Sequence, residues 1–533
     1  MFLSRRHFVQ RGAVLAAATS VPSSLRAALR SRSDAIPSLE DPAIKVLCDA
    51  SIDAARVAGA SYADVRLDHT YWYRIGTGPG EEESMGFGVR VLVDGYWGFA
   101  GGAVWTVDEA ARLVRAAIRN ARANSSGKAR FTELAPLGGA HQGLTGHWTT
   151  PIVDDPFEIS QEETEDFLEG IRTFIERIPG VLPVNISATF MKQDKTFAST
   201  AGHYVTQRLY QSSGVFAFEV RANGRAITTS LDTTTPAGAG FEYLRGQPLR
   251  DQILKAVEDT RADLALPYQP VDVGRYEVVL DANTVTALLS ETIGVATELD
   301  RALGYEANAG GTSYIVDPLE MVGTFKIGSP EVTITGNRTE PTGAATVRWD
   351  DEGVVPREFT LVNNGILADM QTDREGASAL RAIYDRAGTP VGSHGCAFAP
   401  HSIVAPLTHT ANLQLRAGEG DRTFESLIGD VKKGIAFARG AADMDFQQVT
   451  GMVTGMAYEL RNGKRTAVVG GAGLNFRTPE LWNSVATVGG SSSCKRIGIQ
   501  TFKGQPMRIG VHSVTAPPMA LKELAVIDIS RKA

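Results

Sequence analysis

The change of texture at Val271 constrains this chain more than any other feature. Upstream, amphipathic helices alternate with strand-like runs. Downstream, apart from an opening helix and a short one around 423–434, short apolar runs alternate with Gly-rich turns. Runs of that kind bury their apolar faces by pairing into sheets that stack or close. Residues 271–533 are therefore expected to form one large β domain, sandwich or barrel-like. With 533 residues in all, the chain is long enough for several separate cores.

The upstream part reads as two α+β units, 37–124 and 125–268. In the first, "DPAIKVLCDASIDAARVAG" places Ile44, Leu47, Cys48, Ile52 and Ala55 on one helical face. Cys48 reads there as a small buried hydrophobe. In "MGFGVRVLVDGYWGFAGG", Val89, Val91 and Val93 alternate in period two, and Asp94-Gly95 marks a hairpin. Thr106 and Glu109 form a capping box. The helix behind them carries Ala110, Leu113, Val114, Ala117, Ile118 and Ala121 at helical spacing. The expected result is a curled sheet with a helix on either flank. In the second unit, Ser160 and Glu163 cap a helix, strands follow Pro179-Gly180, and a last helix ends before Leu266-Pro267. The fold class is α+β.

Residues 1–30 read as an address. Ser4, the pair Arg5-Arg6, then Phe8 and Val9 precede an alanine-rich run. This resembles a twin-arginine signal, and the run is too short and too alanine-rich for a membrane anchor. The chain is expected to fold in the cytoplasm and to work in the periplasm. Beyond this segment no apolar run is long enough to span a bilayer. Asp and Glu (60) outnumber Lys and Arg (53), and no basic cluster interleaves with aromatics, so composition argues against nucleic-acid binding. Three widely spaced cysteines, Cys48, Cys396 and Cys494, do not make a disulfide framework.

Chemistry centres on one helix. "LLSETIGVATELDRALG", 288–304, follows a strand-like "RYEVVLD". It puts Glu291 where a zinc-protease helix has its glutamate, but with no histidine on either side. A second candidate cluster is "GSHGCAFAPHSIVAPLTHT", with His394, Cys396, His401 and His409. His394 and Cys396 could chelate from one face of a strand. No P-loop, no G-x-S-x-G elbow and no G-x-G-x-x-G at βαβ spacing is present.

Several segments, in order along nearly the whole mature chain, resemble the TldD/PmbA family of zinc-dependent peptidases. They are "SYADVRL", "GFGVRVLVDGYWGFA", "WDDEGVVPREFTLVNNGILADMQTDREGA", "SLIGDVKKGI" and "GQPMRIGVHSVT". The family's metal helix reads H-E-[AT]-x-G-H-x-x-E-x-D. Set against it, "SETIGVATELD" keeps Glu291, Gly294, Glu298 and Asp300 and replaces the two histidines by Ser290 and Val295. The resemblance makes Glu291 the general base of an active member and Cys494, after "GGSSS", the third ligand. The two histidine positions lie five residues apart, about 140° round an ideal α-helix. The helix must bend or bulge for both to reach one ion, and Gly294 is where such a distortion would cost least.

A catalytic zinc keeps about three protein ligands. Valine has no donor and a serine hydroxyl is a poor one, so the resemblance implies no zinc or a weakly bound one. Family members pair, a metal-bearing TldD with a partner, PmbA or TldE, that lacks the motif. Three readings stay open. The chain can be a degenerate subunit, a pseudoenzyme, of an exported dimeric peptidase acting on unfolded or short peptides, as homodimer or heterodimer. It can be an active metallopeptidase with a rebuilt ligand set such as His394, Cys396 and His401. Or it can be a peptide-binding protein without catalysis.

Overall fold

The computed structural model describes residues 39, 41–76, 80–127, 131–137 and 143–530. The twin-arginine segment, 1–30, lies outside these described residues.

The N-terminal half is built on one sheet. Its strands are β1 (Tyr62–Ile75), β2 (Gly80–Val93), β3 (Tyr96–Gly102), β4 (Thr145–Thr149), β5 (Val181–Ser199), β6 (Tyr204–Ala222) and β7 (Arg225–Ser230). The order is β3-β2-β1-β5-β6-β4, with β7 also on β6. The sheet thus runs across the stretch where the sequence suggests two units; the division lies in the cores. Helices α1 (Pro42–Val57) and α2 (Val107–Ser125) pack on Val65, Leu67, Val89 and Val91. Helices α3 (Gln161–Glu176) and α4 (Leu249–Ala265) pack on Phe190, Phe216 and Phe218. Side chains alternate across a strand, so all four helices cover the same face, α1 and α2 side by side rather than on opposite flanks.

The opposite face of β1 and β2 carries Asp64, Arg66, Asp68 and Arg90, all buried. They are buried because the C-terminal domain sits on them. Arg90 Nε donates to Asp64 Oδ2 at 2.8 Å, and its Nη2 pairs with Glu352 Oε1 at 3.0 Å. Lys195 Nζ pairs with Asp351 Oδ1 at 2.5 Å. Asp68 Oδ1 accepts from Ser402 N at 2.5 Å. The D-D-E-G turn supplies the partner carboxylates. Its first member, Asp350, shapes the turn by accepting from Glu352 N and Val354 N, both at 2.9 Å.

The C-terminal domain contains strands β8 (Gly274–Leu280), β9 (Ile334–Asn337), β10 (Phe359–Asn363), β11 (Ile366–Leu367), β12 (Asn412–Leu415), β13 (Lys433–Met444), β14 (Thr450–Arg461), β15 (Ala472–Arg477), β16 (Lys495–Lys503), β17 (Arg508–Ala516) and β18 (Met519–Asp528). Strands β8, β18, β15, β14 and β13 pair in a ring, a closed five-stranded barrel. A second sheet runs β11-β10-β9-β12-β17-β16. Helix α5 (Ala282–Leu289) and its continuation lie between the two, with Val285, Leu288, Leu289 and Ile293 in the main core. The expected short helix is present as Phe424–Gly429. Two further helices, Arg374–Ala379 and Arg381–Ala387, interrupt the β texture where Asp373 Oδ1 caps Gly376 N at 2.7 Å.

Gly86 and Gly88 make the seam between the domains possible. A Cβ on Gly88 would lie 1.9 Å from Ser402 O. Gly88→Val should therefore prise the domains apart and lower stability by at least about 1–3 kcal/mol. Thermal unfolding of the purified variant reads this, and an unchanged midpoint would remove the close approach as a constraint.

Candidate functional site

Helix α5 starts where Asp281 Oδ1 accepts from Thr284 N at 2.8 Å. It does not continue as an α-helix. Ser290–Gly294 forms one π-turn, in which Val295 N–H donates to Ser290 O, and Val295–Thr297 tightens into a 3₁₀ turn. Local groups hold this distortion. Thr292 Oγ1 donates back to Leu288 O at 2.6 Å and Thr297 Oγ1 to Ile293 O at 2.7 Å. Gln371 Nε2 donates to Gly294 O at 2.6 Å. Gly294 lacks the Cβ that would stand 2.9 Å from Leu413 Cδ1. The π-turn links the two positions five apart, Ser290 and Val295, through a single hydrogen bond.

What occupies those positions is not a ligand set. Val295 is buried and offers no donor atom. Ser290 Oγ lies 3.0 Å from His512 Nε2, both groups fully buried. His512 Nδ1 has no hydrogen-bond partner among the described residues. Burial pulls the His512 pKa down to about 3, and burial likewise holds His409 at about 4. The two rings stand 6.3 Å apart, and His409 Nε2 meets Thr501 Oγ1 at 3.1 Å. Glu291, next in the chain after Ser290, is half-buried.

The retained Glu298 and Asp300 hold a lysine. Lys503 Nζ donates to Glu298 Oε2 at 2.9 Å, Asp300 Oδ1 at 2.6 Å and Thr408 O at 2.5 Å. Glu298 Oε1 accepts from Thr410 N at 2.9 Å and Thr410 Oγ1 at 2.8 Å. Burial alone would raise the Glu298 pKa, but the Lys503 charge holds it at about 2. Burial raises that of Asp300.

Cys494 sits apart from this group. It is partly exposed just before β16, its Sγ 4.0 Å from Gly490 O. The residue opposite His512 is Ile499, which puts Cys494 roughly 17 Å along the strand from that level. The second cluster is also dispersed. His394 Nε2 meets Asp369 Oδ2 at 2.9 Å and its ring stacks on Phe359. Cys396 is fully buried, its thiol pushed up to about 12 by burial. His401 Nδ1 faces Asp68 Oδ2 at 3.3 Å. Among the described residues no group of three His, Cys, Asp or Glu side chains is arranged to hold a metal. The donor set at the family's metal position therefore does not fit zinc.

Sequence reasoning did not single out His512, Lys503 or Arg508. The first two come from the last hairpin and meet 290–300 only through the pairing of β16 and β17 with the core. The period-two pattern of "RIGVHSVT" was the available signal: it puts His512 and Val514 on one face.

Beside this core, a cleft of about 920 Å³ opens between the N-terminal sheet and the C-terminal domain. Trp72, Met191 and Val215 line one side, and Phe398, His409, Arg508 and Ile509 the other.

Lys503→Met should leave Asp300 without its ammonium partner and Glu298 with Arg301 Nε at 3.7 Å as its remaining ion-pair partner, and cost about 3–5 kcal/mol. The acid dependence should invert. In the wild type the depressed Glu298 contributes stability that is present above its usual 4.5 and lost as pH falls toward about 2. In the variant its pKa rises, so stability is gained as pH falls. Denaturant unfolding between neutral and acid pH measures both effects.

Comparisons with known proteins follow this geometry. Residues 273–528 match the PmbA/TldA metallopeptidase C-terminal domain, and residues 77–121 match PmbA/TldA metallopeptidase domain 1. A metalloprotease of Methanocaldococcus jannaschii is 24% identical over 424 residues, 78% of this chain and 86% of that protein. A metalloprotease of Methanothermobacter thermautotrophicus is 25% identical over 432 residues, 80% of this chain and 86% of that protein. The structure of TldE from Thermococcus kodakarensis superposes with a TM-score of 0.65 at 15% identity, covering 91% of this chain and 99% of that one.

Proposed function

Because this chain carries TldD/PmbA-family metallopeptidase domains, we propose that it is the metal-poor subunit of an exported, dimeric peptidase assembly. In this reading it holds unfolded or short peptides in its cleft and does not itself hydrolyse them through zinc. One observation carries the reading: the π-turn brings together Ser290 and Val295, a hydroxyl engaged by His512 and a side chain without a donor. A metal-bearing relative would use imidazoles there to hold a Lewis acid that activates water. The family's TldD/TldE pairing supports a dimer, homo- or heteromeric, and the arginine pair Arg5-Arg6 supports twin-arginine export to the periplasm.

Metal analysis tests the central point. The purified protein should carry well under one zinc per chain, and added zinc should not raise its hydrolysis of unstructured peptides. The double variant Ser290→His, Val295→His should gain zinc, since the π-turn already presents both positions. Near-stoichiometric zinc in the wild type, with hydrolysis lost on chelation, would overturn the reading. Export has its own test. Replacing Arg5 and Arg6 by Lys should retain the protein in the cytoplasm, and an undiminished periplasmic yield would sink that part.

A further inference from the structure

At the wall of the cleft stand guanidinium groups whose N–H donors the protein itself leaves partly unfilled. Arg508 opens β17 and lines the cleft. It is 8% exposed, its Nη1 donates to Ala405 O, and its Nε has no hydrogen-bond partner among the described residues. Arg66 is 2% exposed, and none of its three guanidinium nitrogens has a hydrogen-bond partner there. Asp64 Oδ1 stands 3.6 Å from its Nε. The alternation of β1 puts Arg66 on the same face as Thr70, Trp72 and Arg74, which line the cleft.

Neighbouring carboxylates relieve these cations only in part: each already has another donor, and Asp64 Oδ1 pairs with Arg66 Nε by charge at 3.6 Å, beyond hydrogen-bond reach. Asp64 Oδ2 takes Arg90 Nε at 2.8 Å. Asp351 takes Lys195 Nζ at 2.5 Å and Ala399 N at 2.8 Å. Asp300 Oδ1 takes Lys503 at 2.6 Å, and Glu306 Oε2 takes Gly504 N at 2.9 Å. Burial, and then the Arg66 guanidinium close by, pull the Arg508 pKa down to about 10. A guanidinium carries five N–H donors in a planar fork suited to a carboxylate. Burying it without an acceptor is costly, and such a cost is tolerated where a ligand brings the acceptor.

We propose that Arg508, with Arg66 behind it, is the carboxylate-recognition point of the cleft, receiving a carboxylate of a bound peptide. The inference rests on the reading of the cleft as a peptide site and names what that site selects. The apolar stretch of wall formed by Trp72, Met191, Val215 and Ile509 takes the neutral part of the same ligand. The carboxylate can be the peptide's C-terminus or an acidic side chain, and the test separates the two.

Fluorescence anisotropy on the full purified chain uses three peptides of alanine, glycine and leucine, each carrying an uncharged dansyl group on its N-terminus. One has a free C-terminus, one is amidated, and one is amidated with a single central glutamate. A carboxylate-bearing peptide should bind about 10- to 100-fold more tightly than the neutral amide. Preference for the first identifies the C-terminus, and preference for the third the side chain. Arg508→Gln should abolish the preference, so that the carboxylate-bearing peptides bind no more tightly than the amide. Its unfolding midpoint should stay the same or rise, because a buried cation with an unfilled donor is gone. A lower midpoint with equal loss for all three peptides would make Arg508 merely structural. Equal binding of the three by the wild type would overturn this inference and leave the peptide-holding role standing. Binding of none would overturn both.

Discussion

The buried charge clasp between the two domains is the interaction on which the rest of this structure depends. Arg90 bridges Asp64 of its own sheet and Glu352 of the other domain, and Lys195 reaches Asp351. Taking such ions out of water is expensive, and removing one partner of a buried pair typically costs about 3–5 kcal/mol. The clasp is therefore weak evidence for added stability but strong evidence for a defined register. This docking pose satisfies the carboxylates of the D-D-E-G turn and the backbone of Ser402 together. That pose sets the width of the cleft, and with it the positions of His409 and Arg508 opposite Trp72 and Met191.

The same principle recurs within the C-terminal domain. Lys503 stands between Glu298 and Asp300, so the acidic end of the segment 288–304 is neutralised by an ammonium. The other end is closed by Ser290 against His512. The segment's π-turn is an irregularity that aligns two side chains five residues apart. Threonine hydroxyls, Gln371 and Gly294 hold the turn through local contacts.

Much of this was legible in the chain. The helical faces of α1 and α2, the Asp94-Gly95 hairpin and the β texture after Val271 follow from periodicity and turn chemistry, which act between residues near in sequence. The five-residue spacing around Gly294 already required a bend or bulge if both positions were to reach one ion. That Ser290 offers only a hydroxyl and Val295 no donor was equally plain, since a side chain's ligand atoms do not depend on where it folds.

Tertiary structure decided the rest, because long-range pairing obeys no local period. It placed all four N-terminal helices on one face of a single sheet and freed the other for the C-terminal domain. It closed five strands into a barrel through a parallel pairing of β8 with β13. It brought His512 to Ser290 and Lys503 to Glu298 across more than half of the C-terminal domain, and scattered His394, Cys396 and His401 to separate partners. The strand-like "SYADVRL" showed where alternate side chains point. That its charged face would be buried, with Arg66 left lacking acceptors beside the cleft, came only from the surface that docked there.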